Sequence, residues 1–315
     1  MQDVDARLDE LAASIEALKR QLEAIDEKLG PHRMLVAMML RQERVLDAIV
    51  RRLFLDPEQL DYPERLTAQR FGLQSQSEEE GILLALLDAA GTGTRRFVEL
   101  GCGGNGGNSG FLASELGWSG LMVDTREDAV AICRLTFPAE RIRVVQHWVT
   151  RESVDGLLRD HGLTGEIDVL SIDIDGNDYW VWEALTEASP RIVIVEYNAR
   201  FGPERAVAVP YDPSFGRGNR PKGYFGASLE AFRRLGTRKG YRLVTTEPGG
   251  ANAFFVRDDV APEVPAAEVR DVFRYLVRPD FLYRFPLAER HRDRVLHPES
   301  VYAEIESLGL PLEDL

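Results

Sequence analysis

A doubly wound, Rossmann-like α/β fold with seven strands, closing on an antiparallel hairpin, is the fold class this sequence predicts. Three observations carry that reading. Between residues 77 and 257 short apolar runs alternate with helical stretches, the pattern of a parallel sheet covered on both faces. A glycine-rich segment, 101–107, follows the first of those runs directly. The last two runs, 242–246 and 253–257, are joined around Pro248-Gly249-Gly250, a connection too short for a parallel crossover.

The elements follow in order. Ser77-Glu78-Glu79-Glu80 reads as a capping box, with Ser77 at the N-cap and Glu80 at N3, opening a helix through Ala89. Strands are expected at 97–100, 121–124, 143–146, 169–173 and 192–197. Helices are expected between them at 109–116, 127–137, 153–160 and 180–188. A helix at 228–235 precedes the hairpin.

Two segments flank this region. In 1–30, Leu8, Leu11, Ile15, Leu18, Leu22, Ile25 and Leu29 are spaced 3-4-3-4-3-4 on one narrow stripe, which predicts a coiled-coil helix and a homo-oligomer assembled through it. Gly30-Pro31 ends it. Packing back onto its own chain is the alternative. The stretch 34–54 is rich in Met, Leu and Arg and reads as a packing helix rather than a membrane-surface one. The expected organisation is therefore 1–30 coiled coil, 31–73 helical linker, 74–257 α/β domain and 258–315 helical extension.

Composition narrows the function classes. The 315 residues are 44% hydrophobic and 29% charged, as in ordinary globular proteins. A net charge of −14 disfavours nucleic acid as a partner. The two cysteines, Cys102 and Cys133, support neither a disulfide framework nor a cysteine-rich zinc site. No apolar run is long enough to span a bilayer, and the acidic start lacks the features of a signal peptide. The expectation is a cytoplasmic protein.

Candidate chemistry begins in the loop after the first strand. Gly101, Gly103 and Gly106 match G-x-G-x-x-G, which alone suits a dinucleotide. Five glycines in 101–107 make the loop more open than a dinucleotide turn requires. Glu99 stands where a carboxylate can hold a cationic amine, and Asp124 ends the second strand, where an acid can accept from both ribose hydroxyls. An adenosine with an amino-acid tail and a sulfonium meets all three requirements, so S-adenosylmethionine is the expected cofactor. Glu99, Gly101, Gly103, Asn105, Asn108, Asp124 and Asp173 are its expected binding residues. Trp148 is expected either to stack on the adenine or to pack in the core. A nicotinamide oxidoreductase and a non-catalytic coiled-coil scaffold are the competing readings.

The fourth strand ends in Asp173-Ile174-Asp175-Gly176-Asn177-Asp178. Three carboxylates at the C-terminal end of a parallel strand lie where open α/β sheets bind ligands. Crowded like charges imply a general base, a divalent cation, or both. Asp173, Asp175 and Asp178 are the catalytic candidates, with Asp175 or Asp178 removing a hydroxyl proton. Asp173, Glu196 and Asn198 are candidate Mg²⁺ ligands. Arg217, Arg220 and Lys222, in a long Gly-rich connection, read either as an anion-binding lid or as a solvated loop.

Together the strings Ser75-Gln76, 97–101, 170–179, Glu196-Tyr197-Asn198 and 250–256 resemble class I SAM-dependent methyltransferases of the FkbM type. The resemblance covers roughly 74–257. It implies O-methylation of a hydroxyl on a small molecule such as a sugar or natural product. Likeness to sugar O-methyltransferases of this fold implies Mg²⁺ on Asp173 and Glu196, with Asn198 as a further ligand.

Overall fold

The computed structural model describes residues 48–221, 223–274 and 298–315. The heptad segment 1–30, most of the stretch 34–54, Lys222 and the residues after Arg274 up to Pro298 lie outside the described residues. Asp47–Leu315 forms one compact unit.

Five parallel strands build the first part of the sheet: β1 (Arg96–Leu100), β2 (Ser119–Asp124), β3 (Ile142–Gln146), β4 (Gly165–Ile172) and β5 (Ala188–Glu196). After the short β6 (Val207–Ala208) come β7 (Tyr241–Thr246) and β8 (Asn252–Arg257). β8 pairs antiparallel with both β5 and β7. The order is β3-β2-β1-β4-β5-β8-β7, a doubly wound sheet closed by the expected hairpin. The reversal between β1 and β4 opens a crevice at the carboxyl ends of the strands, the binding position in such sheets.

Strand alternation assigns the two faces. Val98, Leu100, Val193 and Val195 join one core, with Leu158, Trp182 and Phe232 from α4 (Val154–Asp160), α5 (Asp178–Ala184) and α6 (Leu229–Lys239). Phe97, Ile192, Ile194 and Phe254 join the other. There they meet Ile82 and Leu86 of α1 (Glu79–Ala90), Leu112 of α2 (Gly110–Ser114) and Cys133 of α3 (Glu127–Thr136). Glu99 and Glu196 share the parity of this second face.

The capping box is not made. Helix α1 starts at Glu79, two residues after the expected cap, and Glu78 caps nothing. Glu80 instead accepts from the Gln74 and Ser75 amides, both at 2.6 Å, and from the Ser75 hydroxyl. Glu79 accepts from the Ser77 amide at 3.0 Å. The two carboxylates fold the 74–77 segment back over the helix start, toward the crevice.

The C-terminal helix α7 (Pro298–Ser307) buries Val301 and Ile305 against Phe201, Val207, Phe215 and Phe225. Strand β9 (Glu313–Asp314) pairs antiparallel with β6. This part of the extension covers the connection that follows β6.

Candidate active site

Backbone packing shapes the crevice first. Gly101 leaves β1 with φ +92°, and a β-carbon there would fall 1.7 Å from the Asp173 carbonyl oxygen. The loops after β1 and β4 are therefore in contact, and only glycine fits between them. Gly107 has φ +59°, and its missing β-carbon leaves room for the Glu99 carboxylate, 2.1 Å from where that atom would be.

That contact corrects the role expected of Glu99. Its side chain is fully buried and accepts from the Asn108 amide at 3.2 Å and the Ser109 amide at 3.0 Å. It fastens the loop to the next helix start from behind and does not line the cleft. Burial pushes its carboxyl up to about 7. The glycine loop itself does line the cleft, through Gly101, Gly103, Asn105 and Asn108. Asn108 is held by its amide on the Ser171 hydroxyl at 3.1 Å, and Asn105 by its amide on the Gln74 carbonyl at 2.5 Å.

Asp124, at the end of β2, accepts from the Gly103 and Arg126 amides, each at 2.8 Å. Its Oδ2 keeps a second lone pair, the Arg126 guanidinium lies 3.6 Å from Oδ1, and the residue faces the cleft. Trp148 is 46% exposed and lines the cleft, so it is not a core residue. Its indole N–H donates to the Pro213 carbonyl at 2.7 Å, which leaves the ring available as a wall. His147 lies beside it with Nε2 3.2 Å from the Ser153 hydroxyl. One cleft of about 660 Å³ runs from these residues to Asp173 and Asp175.

Of the carboxylates beyond β4, the structure gathers Asp173, Asp175 and Glu196, whose oxygens approach within 4.8 Å of one another. Asp178 is turned away. It is fully buried and accepts from the Ile174 and Gly176 amides, both at 2.8 Å, so it ties the loop into α5. Burial pushes it up to about 6. Asp173 is pushed well above the usual carboxylate range by burial, then by the charges of Asp178, Asp175, Glu99 and Glu79. Glu196 is raised by burial and by Asp173, Asp178 and Asp175, and lowered by Arg217.

The Mg²⁺ set expected from the resemblance does not fit. Asn198 spends its amide on the Gly223 and Phe225 carbonyls, at 2.8 and 2.9 Å, and its oxygen accepts from the Arg200 amide at 3.1 Å. The Arg217 guanidinium contacts Asp175 and lies 3.4 Å from Glu196. Arg217 is thus partly exposed, but its guanidinium is paired with these acids rather than free for an anionic ligand. Arg220 pairs with Asp212 at 2.7 Å.

One polar residue completes the site without having been assigned a role from sequence. Asn252 opens β8 in register with Glu196 and lines the cleft. It is 4% exposed, and its amide donates to Glu79 at 3.0 Å. Neither its Oδ1 nor Glu196 Oε2 has a hydrogen-bond partner among the described residues. Only the antiparallel register places Asn252 there, and no local spacing announces it.

No protein-family model and no curated protein matches the chain. Solved structures similar to it include the methyltransferase domain of bacterial CtHen1-C (16% identity, 57% of this chain, 97% of that one, TM-score 0.37). The O-methyltransferase from Bacillus cereus in complex with SAH is similar at 17% identity, over 69% of this chain and 89% of that one, with a TM-score of 0.36. A putative O-methyltransferase from Klebsiella pneumoniae follows at 15%, 70%, 99% and 0.39. At such scores these likenesses decide nothing about activity, and the fold assignment stands on this chain's own strand order.

Proposed function

We propose that this chain is a SAM-dependent methyltransferase acting on a hydroxyl of a small molecule. The observation that carries the reading is the single cleft that joins Asp124, Trp148 and the glycine loop at one end to Asp173 at the other. The sheet argues against the nicotinamide alternative. A dinucleotide fold repeats its mononucleotide unit on the far side of the switch point, whereas here β5 is followed outward by the antiparallel β8 and β7. One nucleoside is cradled, and the other half of the crevice is lined with carboxylates.

The residues fit an adenosine carrying an amino-acid tail. Asp124 offers the second lone pair of Oδ2 to the ribose diol, Trp148 offers a ring face to the adenine, and the backbone of Gly101 and Gly103 admits close approach. With Glu99 committed behind the loop, the methionine amine falls to Asn108, which lines the cleft. When bound, S-adenosylmethionine supplies a methyl on a sulfonium, whose transfer to oxygen leaves a neutral thioether and frees the hydroxyl proton. The protein's part is alignment and proton removal. Asp175 is bound to Arg217 and Asp178 caps a turn, so Asp173 is the base. Its carboxyl, held above the usual range by burial and the neighbouring acids, is a stronger base than an ordinary aspartate. The unpaired oxygens of Asn252 and Glu196 suit an acceptor that presents hydroxyl donors. The resemblance of these strings to FkbM-type enzymes favours a sugar or natural product as that acceptor.

Isothermal titration of the full chain with S-adenosylhomocysteine and with NAD tests the reading. Homocysteine-nucleoside binding without NAD binding supports it, and the reverse ends it. Asp173→Asn should bind S-adenosylhomocysteine yet lose methyl transfer. Retained turnover would move the base elsewhere.

A further inference from the structure

We propose that Arg217 is the resident counter-charge of the Asp173–Asp175–Glu196 cluster, filling the place a divalent cation would take and locking the 209–220 segment over the cleft. Three carboxylates converging within 4.8 Å present the hard oxygen set that divalent cations bind. The Arg217 guanidinium already sits on two of them, in contact with Asp175 and 3.4 Å from Glu196. Its carbon lies 3.7 Å above the centre of the Phe225 ring. A guanidinium keeps its charge at every physiological pH, is weakly hydrated and stacks on aromatic faces. It is suited to standing permanently in a half-buried acid cluster.

The surrounding contacts hold it there. The Asn177 amide donates to the Asp212 carbonyl at 2.8 Å, and the Trp148 indole to the Pro213 carbonyl at 2.7 Å. Phe215 packs so closely on Gly176 that a β-carbon there would fall 2.2 Å from the ring. Asn198 holds the Phe225 carbonyl and so helps to place the ring on which the guanidinium rests. A residue expected to ligate metal thus supports the arginine that replaces it. Asp173 is the one carboxylate of the three that Arg217 does not bridge. On the methyltransferase reading, on which this consequence rests, that contact pattern separates the charge-paired acids from the base.

The experiment titrates metal-free full-length protein with Mn²⁺ and follows the free ion by electron paramagnetic resonance. Wild type and Arg217→Lys are expected to show no saturable binding below the millimolar range. Arg217→Gln and Arg217→Ala should bind at least about tenfold more tightly, because the carboxylates are released to a hard cation. Adding Asp175→Asn to either variant should abolish the gain. Two results overturn the proposal: micromolar binding by the wild type, which needs no variant to read, or no gain in folded Arg217→Gln or Arg217→Ala. S-adenosylhomocysteine titrated into the same wild-type sample keeps the two ideas apart. Its failure to bind removes the methyltransferase reading and leaves the Arg217 assignment standing on the Mn²⁺ result.

Discussion

Glu99 shows how far a residue's position in a sequence pattern can stand from its work in the fold. Two residues before the first glycine it reads as a ligand for an amine, yet both of its oxygens take backbone N–H groups of the loop it supports. It lies on the face shared with Phe97 and Ile194, like Glu196, but the glycine loop folds across it and closes it off from the crevice. Asp178 teaches the same lesson. The spacing of Asp173, Asp175 and Asp178 marks a cluster, but the turn itself consumes the third member. Burial raises Glu99 from an ordinary 4.5 to about 7, and this has a measurable consequence. Between those two values the folded chain holds a proton that the unfolded chain has lost. Its contribution to stability therefore falls as pH rises through that window and is flat above it, by up to about 3 kcal/mol. Glu99→Gln cannot titrate. The stability advantage of wild type over this variant, measured by urea denaturation, should shrink as pH rises from 4.5 to about 7 and then level off. A difference that is constant with pH would place Glu99 in the ordinary carboxylate range.

At the scale of elements, the strands and the hairpin were legible because each rests on local signals: apolar runs, a glycine loop and a connection too short to cross over. The start of α1 was not, because Glu79 and Glu80 are drawn to amides of the preceding segment instead of to a capping box. The 209–220 connection reads as a lid from its length and glycine content, but its anchors come from Trp148, Asn177 and β5, distant in sequence. Asn198 is the joint between strand and lid. Replacing it with alanine removes the amide that the Gly223 and Phe225 carbonyls accept from in a buried setting. Each such loss costs about 1–3 kcal/mol before water repairs any of it. Asn198→Ala should therefore lower unfolding free energy by at least about 2 kcal/mol and speed hydrogen exchange in 209–220. Unchanged exchange there would mean that the lid is held without this joint.

For the molecule as a whole, alternation of strand and helix was enough to foresee a doubly wound sheet, because each strand's two apolar faces demand cover on both sides. Which acids meet at its edge was only partly foreseeable. Asp173 and Asp175 are near in sequence, whereas Glu196, Asn252 and Arg217 arrive through pairing register and a long connection. No helix among the described residues is long and apolar enough to cross a membrane. Every residue assigned to the cleft lies within Asp47–Leu315, which is compact by itself, and the heptad of 1–30 lies outside the described residues. A stripe of seven apolar residues as narrow as this one suits a partner helix better than a broad core. Removing residues 1–46 should then lower the solution mass, measured by sedimentation equilibrium, to that of a single chain while S-adenosylhomocysteine binding is retained, because every residue assigned to the cleft lies outside the removed segment. An unchanged multiple of the chain mass would assign assembly to the α/β unit or its C-terminal helix. A collapse in affinity would instead show that the cleft depends on residues outside it.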